Sequence, residues 1–151
     1  MANIVIRPVT EADQEAWRAL YTGYLVFYKR EPTERVLSTV WSWLMDPAHE
    51  MEGLVADVDG VTVGLANFRR MPSPLRAADI GFLDDLFVSP QARGHGVVEA
   101  IFDRLGEIAQ ARGWEIVRWM TADDNYRARS VYDKLAKKTP WNLYEMKPVG
   151  A

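Results

Sequence analysis

The sequence contains no cysteine among its 151 residues and only two histidines. A disulfide framework, a cysteine-based metal site and a cysteine nucleophile are therefore excluded. We expect no bound metal, because two histidines without cysteine do not form the ligand clusters that are typical of zinc sites. A chain of this length corresponds to one domain and can bury a hydrophobic core without cross-links.

Long apolar runs and an excess of positive charge are also missing. No stretch approaches the roughly 20 apolar residues that span a bilayer, and residues 1–8 lack the charged and apolar regions of a signal peptide. The formal net charge is −3, whereas nucleic-acid-binding domains usually carry a basic excess. We therefore expect a cytoplasmic protein with neither a nucleic-acid nor a membrane partner.

The spacing of the apolar residues predicts one layered α/β (α+β) domain over residues 1–151. It indicates, in order, a strand, two helices, three strands, a helix, a strand, a helix and a final strand from Trp141 to Met146. The strand–helix–strand order in the second half predicts a parallel pair. We expect a mixed, mainly antiparallel sheet with a central parallel pair, flanked by about four helices.

Several local signals predict where elements begin and end. Asp59-Gly60 lies between two strand-like runs, which is typical of a hairpin turn. Gly113 is placed to end the third helix, and Asn125 to cap the start of the fourth. Met71-Pro72-Ser73-Pro74 predicts a loop, because proline and serine punctuate strands.

A strand, a loop with two glycines and a helix follow one another between Leu86 and Val98. Free amides at a helix start and the helix dipole favour an anion, and glycine lets the backbone approach phosphate oxygens. Arg93 can add a charged donor. The mononucleotide loop is excluded because no Gly-Lys-Ser/Thr ending is present, and the dinucleotide fingerprint is excluded because Glu99 stands where its third glycine belongs.

In this setting, Gln91-x-x-Gly94-x-Gly96 resembles the pyrophosphate-binding motif of the GCN5-related N-acetyltransferases, whose element order is also that predicted here. The resemblance implies acetyl-CoA as the cofactor, with the strand backbone binding its pantetheine arm and the loop amides binding its pyrophosphate. Val98 departs from the glycine or alanine that many members have. The implied cofactor-binding residues are Leu86, Phe87, Val88, Gln91, Arg93, Gly94, His95, Gly96, Val97 and Val98, with the His95 side chain expected to face solvent.

A second segment, from Asn125 to Tyr132, resembles the family signature Asn-x-x-Ala-x-x-x-Tyr. The resemblance implies that Asn125 contacts the cofactor and that Tyr132 binds near it and protonates the departing thiolate. Such a donor suits the chemistry, because a phenol with a pKa of about 10 can donate a proton as thiolate charge develops. The alternative is that Tyr132 is only a core aromatic residue.

Two adjacent carboxylates, Asp84 and Asp85, lie in a strand, so we expect them to point to opposite faces. The segment from Phe82 to Val88 resembles the Leu-Glu-Asp-Leu/Phe-Tyr/Phe-Val segment of the polyamine N-acetyltransferases and of a fungal group that acetylates histones or D-amino acids. The proposed base of the polyamine enzymes matches Asp84. Alternatively, Asp84 only binds the substrate ammonium or pairs with an arginine.

Aromatic residues and a carboxylate in the first helical region suit a cationic amine, although an aromatic stripe at helical spacing is more often core. The residues considered are Tyr24, Phe27, Tyr28, Glu31, Trp41 and Trp43, and those expected to bind substrate together with Asp84 are Tyr24, Tyr28 and Glu31.

The sequence therefore predicts direct, acetyl-CoA-dependent transfer of an acetyl group to a primary amine of a small molecule of polyamine or amino-acid type. A protein or peptide acetyltransferase acting on lysine or an N-terminus and a non-catalytic acyl-CoA-binding sensor remain alternatives. By analogy with the family, we also expect the protein to form a homodimer.

Overall fold

The computed structural model describes residues 2–150. These residues divide into two compact units, the first ending at Met120 and the second beginning at Thr121. None of the helices in the described part of the chain combines the length and apolar character that crossing a bilayer requires.

The first unit is a sheet with helices on its two faces. Its strands are β1 (Ile4–Pro8), β2 (Met51–Val58), β3 (Val61–Ser73), β4 (Ala78–Val88) and β5 (Val117–Trp119), and its helices are α1 (Gln14–Phe27), α2 (Glu34–Met45) and α3 (Val97–Arg112). The strand order is β1-β2-β3-β4-β5. The first four strands pair antiparallel, and β4 and β5 pair parallel. The second unit contains α4 (Tyr126–Leu135). The predicted mixed sheet, parallel pair and four helices are confirmed.

Strand alternation divides the core between the two faces of the sheet. Leu54 and Ala56 of β2 pack with the apolar stripe of α3, while Val55 between them packs against α1 and α2. Helical spacing then places Trp17, Leu20, Tyr21 and Leu25 on the buried stripe of α1. Fully burying a large apolar side chain contributes roughly 1.5–3 kcal/mol, so these two layers hold β3 and β4 in fixed positions.

The local signals have the expected structural effect. Asp59 and Gly60 adopt φ values of 50° and 82°, which are the positive values of a tight hairpin turn between β2 and β3. Gly113 ends α3 with φ 75°. The side chain of Asn125 accepts a hydrogen bond from the amide of Ala128 at 3.4 Å and so caps α4.

The prediction of a loop at residues 71–74 is wrong for its first three residues. Met71, Pro72 and Ser73 belong to β3 and pair with Ile80, Asp79 and Ala78 of β4. Pairing of β3 with β2 has already ended at Arg69. The strand can therefore include Pro72, because a proline is tolerated at an edge where no neighbouring strand needs its missing N–H.

The prediction of a final strand from Trp141 to Met146 is also wrong. This segment has no regular secondary structure, and Trp141 and Tyr144 are 72% and 88% exposed. Alternating apolar residues supply strand propensity, but a strand also needs a hydrogen-bonding neighbour. As a result β5 is the last strand in the order of the described sheet, and the parallel pair stands at one end of that order and not at its centre.

Candidate functional site

The loop between β4 and α3 has the backbone shape that its glycines predict. A single 3-10 turn, Pro90–Ala92, follows β4. Gly94 and Gly96 then adopt φ values of 82° and 87°, a region that residues with a Cβ rarely occupy. A Cβ at either glycine would meet no other atom within 4 Å. The positive φ values therefore explain why glycine stands at both positions. Crowding by neighbouring atoms does not explain it.

The start of α3 presents backbone donors beside this loop. Ala100 donates to the carbonyl of Gly96 at 3.1 Å. The amides of Val97 and Val98 precede that bond, so the helix itself offers them no acceptor. Val97 is buried in the α3-side core, which anchors the helix start, while Gln91 and His95 are exposed. Outward-pointing amides at the positive end of the helix dipole fit a phosphate group.

Arg93 ties the loop to the end of β4. Its Nε donates to the carbonyl oxygen of Val88 at 2.9 Å. Its guanidinium lies over the rings of Phe87 and Phe27, at 5.3 and 6.0 Å from their centroids. The residue expected only as a phosphate donor therefore also fixes the junction between strand and loop.

One edge of β4 is open next to the loop. Pairing with β5 runs from Gly81 to Leu83 and stops opposite Trp119, whereas pairing with β3 continues to Val88. From residue 84 to residue 88, the described chain places no strand against the β5 side of β4. On that side the backbone of residues 84–88 faces no strand of the described chain, although the Val88 carbonyl already accepts a hydrogen bond from Arg93. The assignment of Leu86, Phe87 and Val88 to the pantetheine arm stays a prediction.

The expectation that Asp84 and Asp85 point to opposite faces is wrong. Asn67 of β3 pairs with Asp85, but the next residue, Phe68, pairs with Leu83, so Asp84 is an extra residue in a β-bulge. A bulge interrupts strict alternation. Asp84 contacts Arg69 and Asp85 contacts Asn67. Because residues two apart in a strand share a face, both carboxylates lie on the face covered by α1 and α2.

Asp84 is held by a forked ion pair. Arg69 donates from Nε to Oδ2 at 2.9 Å and from Nη2 to Oδ1 at 3.4 Å. Burial raises the pKa of Asp84 above its ordinary value, although the Arg69 guanidinium opposes the change. A raised pKa suits a proton acceptor, and the arginine partner anticipated as an alternative is also present.

Asp85 is the centre of a polar cluster that the sequence analysis did not identify. Its Oδ2 accepts hydrogen bonds from the Tyr21 hydroxyl at 3.1 Å and from Asn67 Nδ2 at 3.0 Å. Asn67 is completely buried, and its Oδ1 has no hydrogen-bond partner. Burial, and then the charge of Asp85, raises the pKa of Tyr21. The only sequence signal for this cluster was a polar residue, Asn67, inside an apolar strand.

Neighbouring tyrosine rings extend from these carboxylates along α1 to the residue just after its end. Tyr24 stacks on Tyr21 at 5.5 Å and contacts Tyr28 at 4.9 Å. The Tyr24 hydroxyl donates to the backbone carbonyl of Asp84 at 3.5 Å. Burial, followed by the charge of Asp85, raises the pKa of Tyr24. Tyr24 therefore lies close to the two carboxylates, and its contact with an acceptor stays a prediction.

The other candidate acceptor residues have different surroundings. Tyr28 follows the end of α1, and Glu31 is exposed beyond it. Trp41 packs on Trp17 at 5.3 Å, so it belongs to the core, as the alternative interpretation holds. Trp43 stacks on the ring of His49 at 5.0 Å.

In the second unit, α4 carries the other two predicted site residues. Asn125 uses both ends of its side-chain amide: Oδ1 caps the helix and Nδ2 donates to the Thr121 hydroxyl at 3.4 Å. Tyr132 is half-buried and lies about two helical turns further on.

A glycine loop at a helix start lies beside a strand that has part of one edge without a partner among the described strands and carries two carboxylates. This arrangement suits a protein that binds a phosphate-bearing cofactor. Sequence comparison identifies the class: the Acetyltransferase (GNAT) family pattern matches residues 11–136. The chain belongs to this family and is an acyltransferase. The cofactor of the family is acetyl-CoA, and the loop amides and the open edge of β4 fit it.

Individual relatives agree with this assignment. The D-amino-acid N-acetyltransferase HPA3 of Saccharomyces cerevisiae is 29% identical over 145 residues, which cover 95% of this chain and 90% of the relative. A ribosomal-protein-alanine N-acetyltransferase from Brucella melitensis biovar Abortus 2308 is 25% identical, with a TM-score of 0.81 over 96% of this chain and 99% of that one. An aminoglycoside N-acetyltransferase in complex with CoA shares the fold, with 20% identity and a TM-score of 0.81 over 97% and 96% of the two chains.

Proposed function

We propose that this protein transfers an acetyl group from acetyl-CoA directly to a primary amine of a small molecule, of amino-acid or polyamine type. The observation that carries the proposal is the juxtaposition on β4 of an edge without a strand partner in the described chain, a loop whose two glycines have positive φ, and a half-buried carboxylate, Asp84. The similarity to a D-amino-acid N-acetyltransferase supports an acceptor of the amino-acid type.

The cofactor is held mainly by backbone. The amides of Gly94, Gly96 and the first turn of α3 bind the pyrophosphate, and the backbone of residues 86–88 binds the pantetheine arm. Gln91, Arg93 and His95 belong to this loop. Asn125, which caps α4, and Tyr132 within α4 are proposed as further contacts of the cofactor. When bound, acetyl-CoA supplies a thioester carbonyl that is open to attack by an amine.

Asp84 prepares the nucleophile. An alkylammonium group has a pKa of about 10.4 and must lose a proton before its nitrogen can attack. Asp84 takes that proton, directly or through a water molecule. The aromatic residues Tyr24 and Tyr28, with Glu31 further out, line the approach for a cationic acceptor.

Tyr132 completes the proton balance. As the amine nitrogen bonds to the carbonyl carbon and the carbon–sulfur bond breaks, Tyr132 would give its proton to the departing thiolate. The surplus proton of the new amide nitrogen would restore the tyrosine through solvent, and Asp84 would return to solvent the proton that it took from the ammonium. No acetylated enzyme is needed, and holding both reactants in position supplies much of the rate.

A protein or peptide acceptor is the second candidate. It is favoured by one observation, the similarity at 25% identity to a ribosomal-protein-alanine N-acetyltransferase. The two candidates differ in what they require of the acceptor, because a peptide acetyltransferase needs residues beyond the reacting amine for recognition.

We also propose that the enzyme is cytoplasmic. A chain without cysteine fits the reducing cytoplasm, and neither a nucleic acid nor a membrane is proposed as a partner. The homodimer rests on family analogy, and light scattering on the purified protein measures it directly.

Thiol release from acetyl-CoA tests the function. The acceptor panel contains polyamines, L- and D-amino acids, aminoglycosides and a lysine peptide. Because the protein has no cysteine, a thiol reagent gives no background from the enzyme. Thiol release with a small amine supports the proposal. Thiol release with the peptide alone favours the second candidate, a protein or peptide acetyltransferase. Binding of acetyl-CoA without release for any amine contradicts it.

A further inference from the structure

The Arg69–Asp84 pair has a consequence for the choice of acceptor. The guanidinium uses two donors on the two oxygens of the carboxylate and lies over the Phe82 ring at 4.8 Å from its centroid. The two side chains are only 27% and 25% exposed. The carboxylate that is proposed to receive the amine proton is therefore already occupied by a fixed cation.

A purely cationic acceptor fits this arrangement poorly. An ammonium that displaces Arg69 from Asp84 leaves a half-buried guanidinium without its partner, and an unpaired buried charge is strongly unfavourable. An ammonium that approaches without displacing Arg69 meets like charge. The neighbouring Asp85 does not solve the problem, because its Oδ2 is already held by Tyr21 and Asn67.

An amino acid carries both charges that the exchange needs. Its ammonium can take the place of the guanidinium at Asp84, and its carboxylate can take the place of Asp84 at Arg69. Every charge keeps a partner, and no net charge is added. The planar fork of arginine matches a carboxylate in two parallel hydrogen bonds, which an ammonium of lysine cannot do.

We infer that Arg69 is a specificity-determining residue that binds the carboxylate of an amino-acid acceptor and thereby releases Asp84 to the acceptor's amine. This inference rests on the proposed function, since it requires that Asp84 faces the acceptor. It separates the two acceptor types: amino acids exchange partners with the Arg69–Asp84 pair, while polyamines only disrupt it.

The first test needs no mutation. The values of kcat/KM are compared for D- and L-amino acids, their carboxamides and their decarboxylated amines. An α-carboxamide lets its amine become neutral more readily than an α-carboxylate does, so a preference for the amino acid reports recognition and not amine basicity. We expect the amino acid to exceed its carboxamide by about 10- to 100-fold, because the site is built for a charge that the carboxamide lacks. Equal rates, or a preference for polyamines, overturn the inference.

The second test uses matched variants. Arg69→Gln should lower kcat/KM for the amino acid by about 10- to 100-fold, the size of the wild-type preference, while changing the carboxamide by less than about 5-fold, so that most of the preference disappears. Arg69→Lys should keep part of the preference for the amino acid, because lysine has the positive charge but lacks the two parallel donors of a guanidinium. Arg70→Gln is the control, since Arg70 is the next residue of β3 and pairs with Asp79 at 3.4 Å. Equal losses for both acceptors in Arg69→Gln overturn the inference.

Two readouts keep the failures apart. Acetyl-CoA affinity and the unfolding midpoint show whether each variant is folded. If Arg69→Gln does not fold, the comparison of amino acids with carboxamides on the wild-type protein still tests the inference. Turnover of amines without any dependence on a carboxylate overturns the role of Arg69 but leaves the proposed function intact. No turnover of any amine overturns the proposed function and this inference with it.

Discussion

Asn67 Nδ2 donates a hydrogen bond to Asp85 Oδ2 at 3.0 Å, across the bulge that brings Asp84 and Asp85 to one face of the sheet. Asn67→Asp would place a second carboxylate at this distance in a fully buried position. We expect it to lower the free energy of unfolding by about 2–4 kcal/mol at pH 8. The loss should shrink as the pH falls, because protonation of one carboxyl removes the repulsion. Urea unfolding at pH 5 and pH 8 measures both effects.

The control for that experiment is Tyr21→Phe. It removes the other donor to Asp85, at 3.1 Å, without adding a charge. Loss of one hydrogen bond to a charged group corresponds to about 2 kcal/mol, and the difference from wild type should be the same at both pH values. If Asn67→Asp and wild type had the same stability at pH 8, the described cluster would be wrong.

Tyr132→Phe tests the proposed proton donor. Positioned acid–base groups contribute typically 10²- to 10⁴-fold, so we expect kcat to fall by at least about 100-fold, with acetyl-CoA affinity unchanged. Tyr126→Phe is the matched control, because Tyr126 belongs to the same helix and is 71% exposed. Equal activity in the two variants would remove Tyr132 from the mechanism.

The features that the sequence predicted correctly depend on short stretches of chain. Gly94 and Gly96 permit the positive φ that their loop adopts, and Asp59-Gly60 favours its tight turn for the same local reason. The helix cap at Asn125 needs only the amide of Ala128, three residues away. These signals are contained within a few residues, so a single sequence is enough to identify them.

The features that the sequence did not predict depend on pairing between distant segments. The bulge at Asp84 arises from its register with Asn67 and Phe68, and strict alternation assigned the carboxylate to the wrong face. Pro72 can belong to a strand because the pairing with β2 ends at Arg69. Trp141 does not belong to a strand, because an alternating pattern alone supplies no neighbouring strand. Register is a tertiary property, so the sequence could suggest an arginine partner for Asp84 but could not identify it as Arg69.

Gly96→Ala tests the cofactor loop. A left-handed conformation is unfavourable by about 1–2 kcal/mol for a residue with a Cβ, so the loop must either keep the strain or move its amides. We expect acetyl-CoA affinity to fall by about tenfold or more. Gly60→Ala has a similar φ, also with open space around it, but lies in the β2–β3 turn. It should lose similar stability while binding the cofactor normally, and isothermal titration with CoA distinguishes the two. Normal affinity in both variants would contradict the assignment of the loop.

Gly81→Ala tests how closely β4 packs against β5 and against Trp114, which lies between α3 and β5. A Cβ at Gly81 would lie 2.6 Å from Cε3 of the buried Trp114 and 3.2 Å from Cγ2 of Val117. Overpacking of a filled core typically lowers stability by about 1–3 kcal/mol. Gly106→Ala is the opposite case, because it lies on α3 with nothing within 4 Å. Alanine there should raise stability by about 0.5–1 kcal/mol. Thermal unfolding of the two variants should therefore shift in opposite directions, and a shift in the same direction would contradict the described packing.

Acid stability tests the ion pair that joins β1 to the start of α1. Arg7 donates to both oxygens of Asp13, at 2.9 and 2.8 Å, and these bonds lower the pKa of Asp13 from 3.8 to about 2. A carboxylate with a lowered folded-state pKa stabilises the protein above its unfolded-state pKa and loses that contribution as the pH falls through the folded-state value. The contribution is about 2 kcal/mol at pH 7 and should disappear between about pH 4 and pH 2.

Asp13→Asn should therefore lower the free energy of unfolding by about 2 kcal/mol at pH 7 and approach wild type near pH 2. The control is Asp103→Asn, at an exposed position on α3, which should change stability by less than about 0.5 kcal/mol. Urea unfolding across this pH range measures the difference, and a constant gap between Asp13→Asn and wild type would show that the stabilisation does not come from the charge of Asp13.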